Sequence, residues 1–277
     1  MSVAAATPTS TATAARPAIG VGRIALVVFA SLVLAFLAFP TLVILPVSLS
    51  PTEYLAFPPK GLTLRWYGEF FTDPGWLRAT FLSLRIGLTV TVVATVIGTM
   101  AAFALVRGLK GGGPLLNALV AAPLVIPTIV YAIAVLLFFG KVGISGSFWS
   151  YVLAHSALAV PYVVLIVSAA LYRVDVSIEL AALGLGASRF QAIWHVTLPA
   201  IRPALATGGI FAFLTSFDDA VVSFFLANLS DVTLPRKMFE NLQFYVSPVL
   251  AVVATLLTLF TLGLFAAAQW LRSGTRN

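Results

Sequence analysis

The chain has 277 residues, of which 60% are hydrophobic and 9% are charged. Soluble domains carry about a quarter charged residues, so this composition excludes a soluble enzyme and indicates a protein whose main solvent is lipid. The formal net charge is +7, but the basic residues are scattered between apolar runs, which argues against a nucleic-acid interface.

The chain begins with a polar segment and a first apolar run. Residues 1–18 are mostly Ala, Thr, Ser and Pro and cannot build a core, which predicts a disordered tail. Residues 19–49 hold an apolar run far longer than the core of a signal peptide, about 7 to 15 residues. We therefore predict a first transmembrane helix that is retained.

Five further apolar runs occupy residues 80–272, and each is long enough to cross a bilayer. Backbone groups in hydrocarbon must be paired within their own segment, so the runs are predicted to be helices. Pro123, Pro127 and Pro161 lie inside them and predict kinks. The result is an all-α, polytopic membrane protein with six transmembrane helices and a C-terminal tail at 273–277. The five runs are about residues 80–106, 114–139, 148–171, 204–226 and 248–271.

Six spans place both termini on one side, and the distribution of Lys and Arg indicates which side. If the termini are inside, the inner segments carry Arg16, Arg23, Arg107, Lys110, Arg173, Arg189, Arg202, Arg272 and Arg276. The outer segments carry Lys60, Arg65, Arg78, Lys141, Arg236 and Lys237. Because cytoplasmic loops are richer in basic residues, we predict a multi-pass protein of the inner membrane with both termini in the cytoplasm.

Two connections between spans are long. The external loop, residues 50–79, is rich in aromatic side chains, which is typical of a segment at the membrane interface or of a surface that docks a partner. These are Tyr54, Phe57, Trp66, Tyr67, Phe70, Phe71 and Trp76.

The long inner loop, residues 173–202, has a helical composition interrupted by Gly184 and Gly186 and stopped by Pro199. This pattern predicts two short helices that meet at a glycine. The second helix has one apolar face, which either packs on the chain's own helix ends or enters a groove of a partner. The face consists of Phe190, Ile193, Trp194 and Leu198.

The same loop carries a spaced motif. Ala181 and Ala182 are followed by three residues, Gly186, nine residues and then Val196-Thr-Leu-Pro199. This resembles the inner-loop motif of permease subunits of ATP-binding-cassette importers, which reads Glu-Ala-Ala, three residues, Gly, nine residues, Ile-x-Leu-Pro. Two positions differ, since Leu180 stands where the family has Glu, with Glu179 one place earlier, and Val196 replaces the Ile.

Other segments are similar to the polyamine-type branch of that family, and the resemblance extends from about Thr52 to the sixth span. They are Phe57 to Lys60 with Trp66-Tyr67, Pro123 to Pro127, His155 with Pro161-Tyr162, and Phe213 to Phe225. The resemblance implies a type I importer (MetI-like) permease fold.

The resemblance also implies partners. The inner loop would be the coupling helix seated on a cytoplasmic ATP-binding subunit, of which there would be two. An external solute-binding protein and a second, non-identical permease chain would complete the complex. The residues expected to couple to the ATPase are Glu179, Ala181, Ala182, Gly186, Arg189, Phe190, Leu198 and Pro199.

Residue types limit what this chain can do alone. It has no cysteine and two histidines, which excludes thiolate sites and argues against a structural zinc site. No GxxxxGK(S/T) phosphate loop occurs. We therefore expect no catalytic residues, no metal site and no cofactor on this chain, with ATP bound by the partner subunit.

Asp218 and Asp219 lie about 15 residues into the fifth run, where an ionised carboxylate costs about 2.5 to 3.5 kcal/mol on insertion scales. They are predicted to face the bundle, either lining the route of a cation or flanking a helix break capped by Ser216 or Asp218. Arg85 is the expected counter-charge. The candidates for the translocation pathway are Asp218, Asp219, Ser216 and His155.

These features favour a permease subunit that forms the pathway of a small solute, polyamine-like or related, and that takes its energy from a separate ATPase. One alternative is an ion-coupled secondary transporter that uses Asp218 and Asp219 as a proton or cation relay. Another is a membrane scaffold without a pathway, in which both aspartates could be replaced by Asn without loss of transport.

Overall fold

The computed structural model of the chain describes residues 21–108, 113–226, 232–244 and 247–273. All regular secondary structure in these ranges is helical, which confirms the all-α prediction. The predicted tail at 1–18 lies outside the described residues, as do residues 274–277 of the predicted C-terminal tail. Three of the basic residues assigned to the inner side, Arg16, Lys110 and Arg276, also lie outside them.

The described residues form helices of very different length. In chain order they are α1 (Val21–Ser48), α2 (Arg65–Thr72), α3 (Pro74–Phe103), α4 (Gly113–Val125), α5 (Thr128–Val142), α6 (Phe148–Leu171), α7 (Val176–Gly184), α8 (Arg189–Ala192), α9 (Leu198–Ala200), α10 (Arg202–Phe217), α11 (Val221–Leu226), α12 (Leu234–Phe244) and α13 (Val249–Ser273). A π-helical turn, Ala104–Gly108, follows α3, and a second, Ile193–Thr197, lies between α8 and α9.

Four of the helices, α1, α3, α6 and α13, are each long and apolar enough to cross a membrane. Two further spans are possible only if bent helix pairs are counted as one span each. The α4 and α5 helices form one pair, with an angle of 98° between them. The other pair joins residues 189–200 to α10 at 72°. The described part of the chain therefore has four to six spans, and the prediction of six corresponds to the upper value.

The third and fifth predicted spans are broken, which the apolar runs did not show. Pro127 stands at the start of α5, and a proline disfavours helical geometry at the residue before it, so α4 ends at Val125. Pro123 and Pro161 lie inside α4 and α6. The fifth predicted span, 204–226, is interrupted because α10 ends at Phe217, which agrees with the alternative of a helix break near Ser216 or Asp218.

The chain divides into two compact units, Met1–Val43 and Ile44–Asn277. The described part of the first unit is the apolar helix α1 up to Val43. The second unit contains the last turn of α1 and every other helix. In this second unit, Thr255 Oγ1 of α13 donates a hydrogen bond to the carbonyl of Ile44 at 3.5 Å.

The core of the second unit is formed by α3, α6 and α10, which pack through small residues. A Cβ atom built on Gly98 of α3 would lie 2.7 Å from Cβ of Val163 in α6. Similarly, a Cβ atom on Gly87 would lie 2.9 Å from the ring of Phe213 in α10. Glycines at these contacts let the helix backbones approach closely, as in other membrane helix bundles.

The external loop buries three of its seven aromatic side chains in this unit. Trp66, Phe70 and Trp76 are buried with Phe217 and Leu250 in a second apolar cluster. Trp66 Nε1 also donates a hydrogen bond to the carbonyl of Ser50 at 2.9 Å. The ring surface of these three residues is used inside the chain and does not face lipid headgroups or a partner. Tyr54, Phe57 and Phe71 are exposed, so for the loop as a whole an interfacial or docking segment stays a prediction.

Candidate functional site

The inner loop folds as two short helices that meet at a glycine, which confirms the prediction from its sequence. Asp175 caps the first helix, α7, because its Oδ1 accepts a hydrogen bond from the amide of Ser177 at 2.9 Å. This bond lowers the pKa of the Asp175 carboxyl. At the start of the second helix, Ser188 and Gln191 form a capping box.

Gly186 turns the chain between the two helices. Its φ of +90° lies in the region that favours glycine, and a Cβ atom there would meet no atom within 4 Å. The amide of Gly186 donates to the carbonyl of Leu183, and that of Ala187 donates to the carbonyl of Ala182, which is the Schellman arrangement. Ala181 also accepts an amide hydrogen bond here. The alanines and glycine of the motif thus supply the geometry of one turn.

The apolar face predicted on the second helix divides into two parts. Phe190 and Trp194 stack on each other, with ring centroids 5.9 Å apart, and their side chains are 72% and 56% exposed. Ile193 and Leu198 are partly buried in the chain, since the π-helical turn between them changes the helical register. The stacked pair is therefore the portion of the face that the described residues leave uncovered.

The loop ends at a bend near the start of α10. The predicted stop at Pro199 is two residues early, because the chain bends at Ile201, whose side chain is buried. Pro199 occupies the first turn of α9, where its missing N–H leaves no hydrogen bond unmade. Arg189 is exposed at the start of α8. The motif residues thus share the loop, but they differ in how far they face solvent.

Glu179 points into the chain. Its Oε1 accepts a hydrogen bond from Thr197 Oγ1 at 2.7 Å and lies 3.5 Å from Nη2 of Arg107. The side chains of Arg107 and Glu179 are only 20% and 16% exposed. Glu179 therefore differs from the exposed Phe190, although the resemblance placed both residues in one coupling set.

The two adjacent aspartates lie at a break in the fifth span. The amide of Asp218 makes the last hydrogen bond of α10, to the carbonyl of Leu214. Asp219 Oδ1 accepts hydrogen bonds from the amides of Val222 at 2.7 Å and Ser223 at 3.3 Å, and so caps α11. The predicted break is present, but Asp219 makes the cap in place of Ser216 or Asp218.

His155 connects this break to α6. It is 1% exposed, its Nδ1 lies 2.9 Å from Ser216 Oγ, and its Nε2 lies 3.9 Å from Asp219 Oδ1. The structure thus brings three of the four pathway candidates into one buried cluster. Asp218 lies beside the cluster and is exposed, so its carboxylate is open to a cation that reaches the break.

Arg85 does not serve as the counter-charge of the aspartates. Its guanidinium lies over the ring of Phe148, 5.2 Å from the centroid, and within the described residues it makes no ion pair at 4 Å or less. Asp219 Oδ1 instead lies 3.9 Å from Nε2 of the buried His155. The expectation that Arg85 is the counter-charge rests on its depth along the helix. Depth does not determine the face on which a side chain lies.

The cluster has the residue types of a hydrolytic triad without its geometry. In such triads the serine bonds Nε2 and the aspartate bonds Nδ1, whereas here Ser216 meets Nδ1 and Asp219 approaches Nε2. Ser216 is also buried. The arrangement is suited to tying α6 to a broken helix. In the described residues no group of three or more His, Cys, Asp or Glu side chains could hold a metal ion.

Three residues that contact the candidates or lie next to them were not found by sequence reasoning. Arg107 and Thr197 contact Glu179, and Tyr131 donates from its hydroxyl to the carbonyl of Ala154 at 2.8 Å, next to His155. A signal existed for Arg107, which is the arginine that follows the apolar run of α3. Thr197 lies at the variable position of the Val-Thr-Leu-Pro motif and gave no signal.

Comparison with known sequences gives long matches. The family model described as "Binding-protein-dependent transport system inner membrane component" matches residues 94–276. The spermidine/putrescine transport system permease protein PotC of Escherichia coli (strain K12) is 32% identical over 249 residues, covering 90% of this chain and 94% of PotC. The putrescine transport system permease protein PotI of the same strain is 34% identical over 220 residues, covering 76% and 77%.

Solved structures show the same fold. A chain of a bacterial ABC transporter involved in the import of the acidic polysaccharide alginate matches with a TM-score of 0.66 at 15% identity, covering 90% of this chain and 95% of that one. A chain of the inward-facing MetNI methionine ABC transporter matches with a TM-score of 0.60 at 18% identity, covering 70% and 93%. These likenesses confirm the fold that the inner-loop motif implied.

Proposed function

The chain belongs to the family of binding-protein-dependent transport system inner membrane components and is a permease subunit of an ATP-binding-cassette importer; from this premise we propose that it conducts a small cationic solute of the polyamine type. It is a transport permease and not an enzyme. The names of PotC and PotI support the solute class. So does Asp218, an exposed carboxylate at the break between α10 and α11.

The coupling of transport to ATP is assigned to the inner loop, residues 173–202. The observation that carries this assignment is the uncovered stack of Phe190 and Trp194. Two adjacent exposed aromatic rings on a membrane protein's polar loop are typical of a docking surface. ATP itself is bound by the partner, since the sequence has no P-loop motif.

The complex is proposed to contain two ATP-binding subunits in the cytoplasm, a second permease chain that differs from this one, and an external solute-binding protein. The charge distribution supports an orientation in which both termini and the inner loop face the cytoplasm. In this arrangement the permeases alternate between outward and inward openings, driven by the closure of the ATPase subunits.

The test is uptake of labelled spermidine into vesicles that carry the full complex, with and without ATP. Replacing Gly186 by Pro imposes a φ near −65° where the chain needs +90°, and it also removes the amide that bonds Leu183. We expect ATP-driven uptake and stimulated ATP hydrolysis to be lost while the complex still assembles. Gly184→Ala is the matched control, because Gly184 is helical with open space around it.

Other outcomes favour the alternatives. Uptake that persists in the parent complex without ATP would replace the importer by an ion-coupled secondary transporter. Full uptake by a variant with both Asp218→Asn and Asp219→Asn would show that neither carboxylate is needed in the cation pathway. Equal loss in Gly186→Pro and Gly184→Ala would mean that the loop tolerates no change at all, and the turn would then carry no special role.

A further inference from the structure

Arg107 joins the inner ends of two core helices. It lies in the π-helical turn that ends α3, and its Nη2 donates hydrogen bonds to the carbonyls of Leu171 at 3.2 Å and Val174 at 2.9 Å. These carbonyls belong to the end of α6 and the residues just after it. The last carbonyls of a helix have no partner within the helix, so a guanidinium placed there satisfies them and fixes α3 to α6.

The same nitrogen of Arg107 reaches the inner loop. It lies 3.5 Å from Oε1 of Glu179 in α7, and that oxygen accepts the hydroxyl proton of Thr197, at 2.7 Å. Thr197 is fully buried and lies in the π-helical turn that carries Trp194. One guanidinium therefore links both inner-loop helices to α3 and α6. We call Arg107, Glu179 and Thr197 the inner clamp.

The inner clamp is placed between the surface that would meet a partner and the helices that form the core. Trp194 is exposed, while Thr197, in the same π-helical turn, is buried in the clamp. Its members are mostly shielded from water, so their electrostatic attraction is screened less than that of an exposed pair. Because Arg107 and Glu179 are both largely buried, replacing either one leaves the other charge unpaired and lowers the stability of the fold.

We propose that the inner clamp is the connection through which a displacement of the inner loop moves α3 and α6 together. Arg107 and Glu179 are then positioning residues of the importer, and Glu179 acts on Arg107 inside this chain and not on the ATPase subunit. The proposal rests on the coupling role assigned to the inner loop above, and it adds the route by which that coupling reaches the spans.

The experiment measures uptake and ATP hydrolysis in parallel, in the complete complex, and compares solute moved per ATP hydrolysed. The clamp variants are Arg107→Met, Glu179→Gln and Thr197→Val, each close in shape to the native side chain. We expect this ratio to fall about fivefold or more in Arg107→Met, the scale of a lost interaction of about 1 kcal/mol, with ATP hydrolysis and assembly retained. Arg107→Lys keeps the charge and should restore part of the ratio.

A double variant separates a clamp from two independent effects. If Arg107 and Glu179 act on each other, Arg107→Met combined with Glu179→Gln will be no worse than Arg107→Met alone. Arg23→Met is the matched control, since Arg23 is an exposed arginine at the end of another apolar helix and its loss should leave the ratio unchanged. Thr197→Val removes only a hydroxyl and keeps the test valid if Arg107→Met fails to assemble.

Three results would overturn the inner clamp. One is an unchanged ratio in all three single variants, and another is a double variant whose loss is the product of the single losses. The third is loss of the ATPase subunits from Glu179→Gln alone, which would place Glu179 at the partner surface. If Gly186→Pro uncouples the complex while the clamp variants do not, the proposed function stands and this inference fails; if the parent does not need ATP, the proposed function fails first.

Discussion

The external loop and the inner loop are both long and carry aromatic residues, but three rings of the external loop are buried whereas the two rings of the inner loop are exposed. In the external loop, Trp66, Phe70 and Trp76 are buried in the chain's own apolar cluster. In the inner loop, Phe190 and Trp194 stack on each other and remain exposed. Aromatic content alone therefore does not identify a docking surface. What identifies it is ring area that the chain itself leaves uncovered.

The largest effect expected from this difference is on stability, in the external loop. Trp66→Ala removes a buried ring and its hydrogen bond to Ser50, which should lower the free energy of unfolding by about 3 to 5 kcal/mol. Thermal unfolding of the purified chain in detergent measures it. Tyr54→Ala, at an exposed ring of the same loop, should change stability by less than about 0.5 kcal/mol. Equal losses would mean that burial of a ring in the external loop does not determine its contribution to stability.

The second effect is on assembly, in the inner loop. Trp194→Ala should leave the unfolding temperature of the isolated chain unchanged, because the ring is exposed. It should weaken binding of the ATPase subunits by about 2 kcal/mol, or roughly 30-fold in Kd, as expected for an aromatic residue at the centre of an interface. Titration of the ATPase subunit onto the detergent-purified chain measures this.

Trp149 provides the control for that measurement. Trp149 is 60% exposed, which is similar to the exposed fraction of Trp194. It lies in the first turn of α6, away from the inner loop. Trp149→Ala should not affect ATPase binding. If Trp149→Ala and Trp194→Ala weaken binding equally, exposure of a tryptophan would be sufficient to explain the loss, and the inner loop would not be the docking surface.

The smallest effect is a pH dependence of the inner loop. The amide of Ser177 bonds the carboxylate of Asp175 and lowers its pKa below the ordinary 3.8. A carboxyl whose pKa is lowered by folding stabilises the folded state above 3.8, and this contribution is lost as the pH falls through the lowered value. Amide-exchange protection in the first turn of α7 should therefore decrease in that acidic window.

Asp175→Asn distinguishes this cap from a general effect of acid. Asparagine caps helices about as well as aspartate but does not titrate, so protection in the first turn of α7 should become independent of pH in the same window. A decrease of the same size in Asp175→Asn would assign the acid sensitivity to other groups.

Features that depend on neighbouring residues in the chain were predictable from the sequence. The run lengths gave the helical membrane class, and the spacing of Gly186 within the inner loop predicted two helices joined at a glycine, which the φ of +90° explains. These features depend on a few neighbouring residues and on the solvent. The family membership followed from a motif of the same local kind.

Features that depend on packing were not predictable. Pro127 predicted a kink and the aspartates left open a break near residue 218, but hydropathy gave neither the angle of 98° between α4 and α5 nor the end of α10 at Phe217. The burial of Trp66 depends on α13, which is distant in sequence. The inward orientation of Glu179 requires Arg107 from another span. Composition assigns a residue to a segment, but only the three-dimensional contacts assign it to a face.

The close packing of Gly98 against Val163 holds α3 and α6 in a fixed position relative to each other. Because even one methyl group on Gly98 would overlap Val163, the two helices are in nearly direct backbone contact there, and a close-packed contact of this kind resists sliding. Sliding would also break the hydrogen bonds from Arg107, which follows α3, to the carbonyls at the end of α6. We therefore expect α3 and α6 to move as one rigid unit, while the chain changes direction at the break between α4 and α5 and at Ile201.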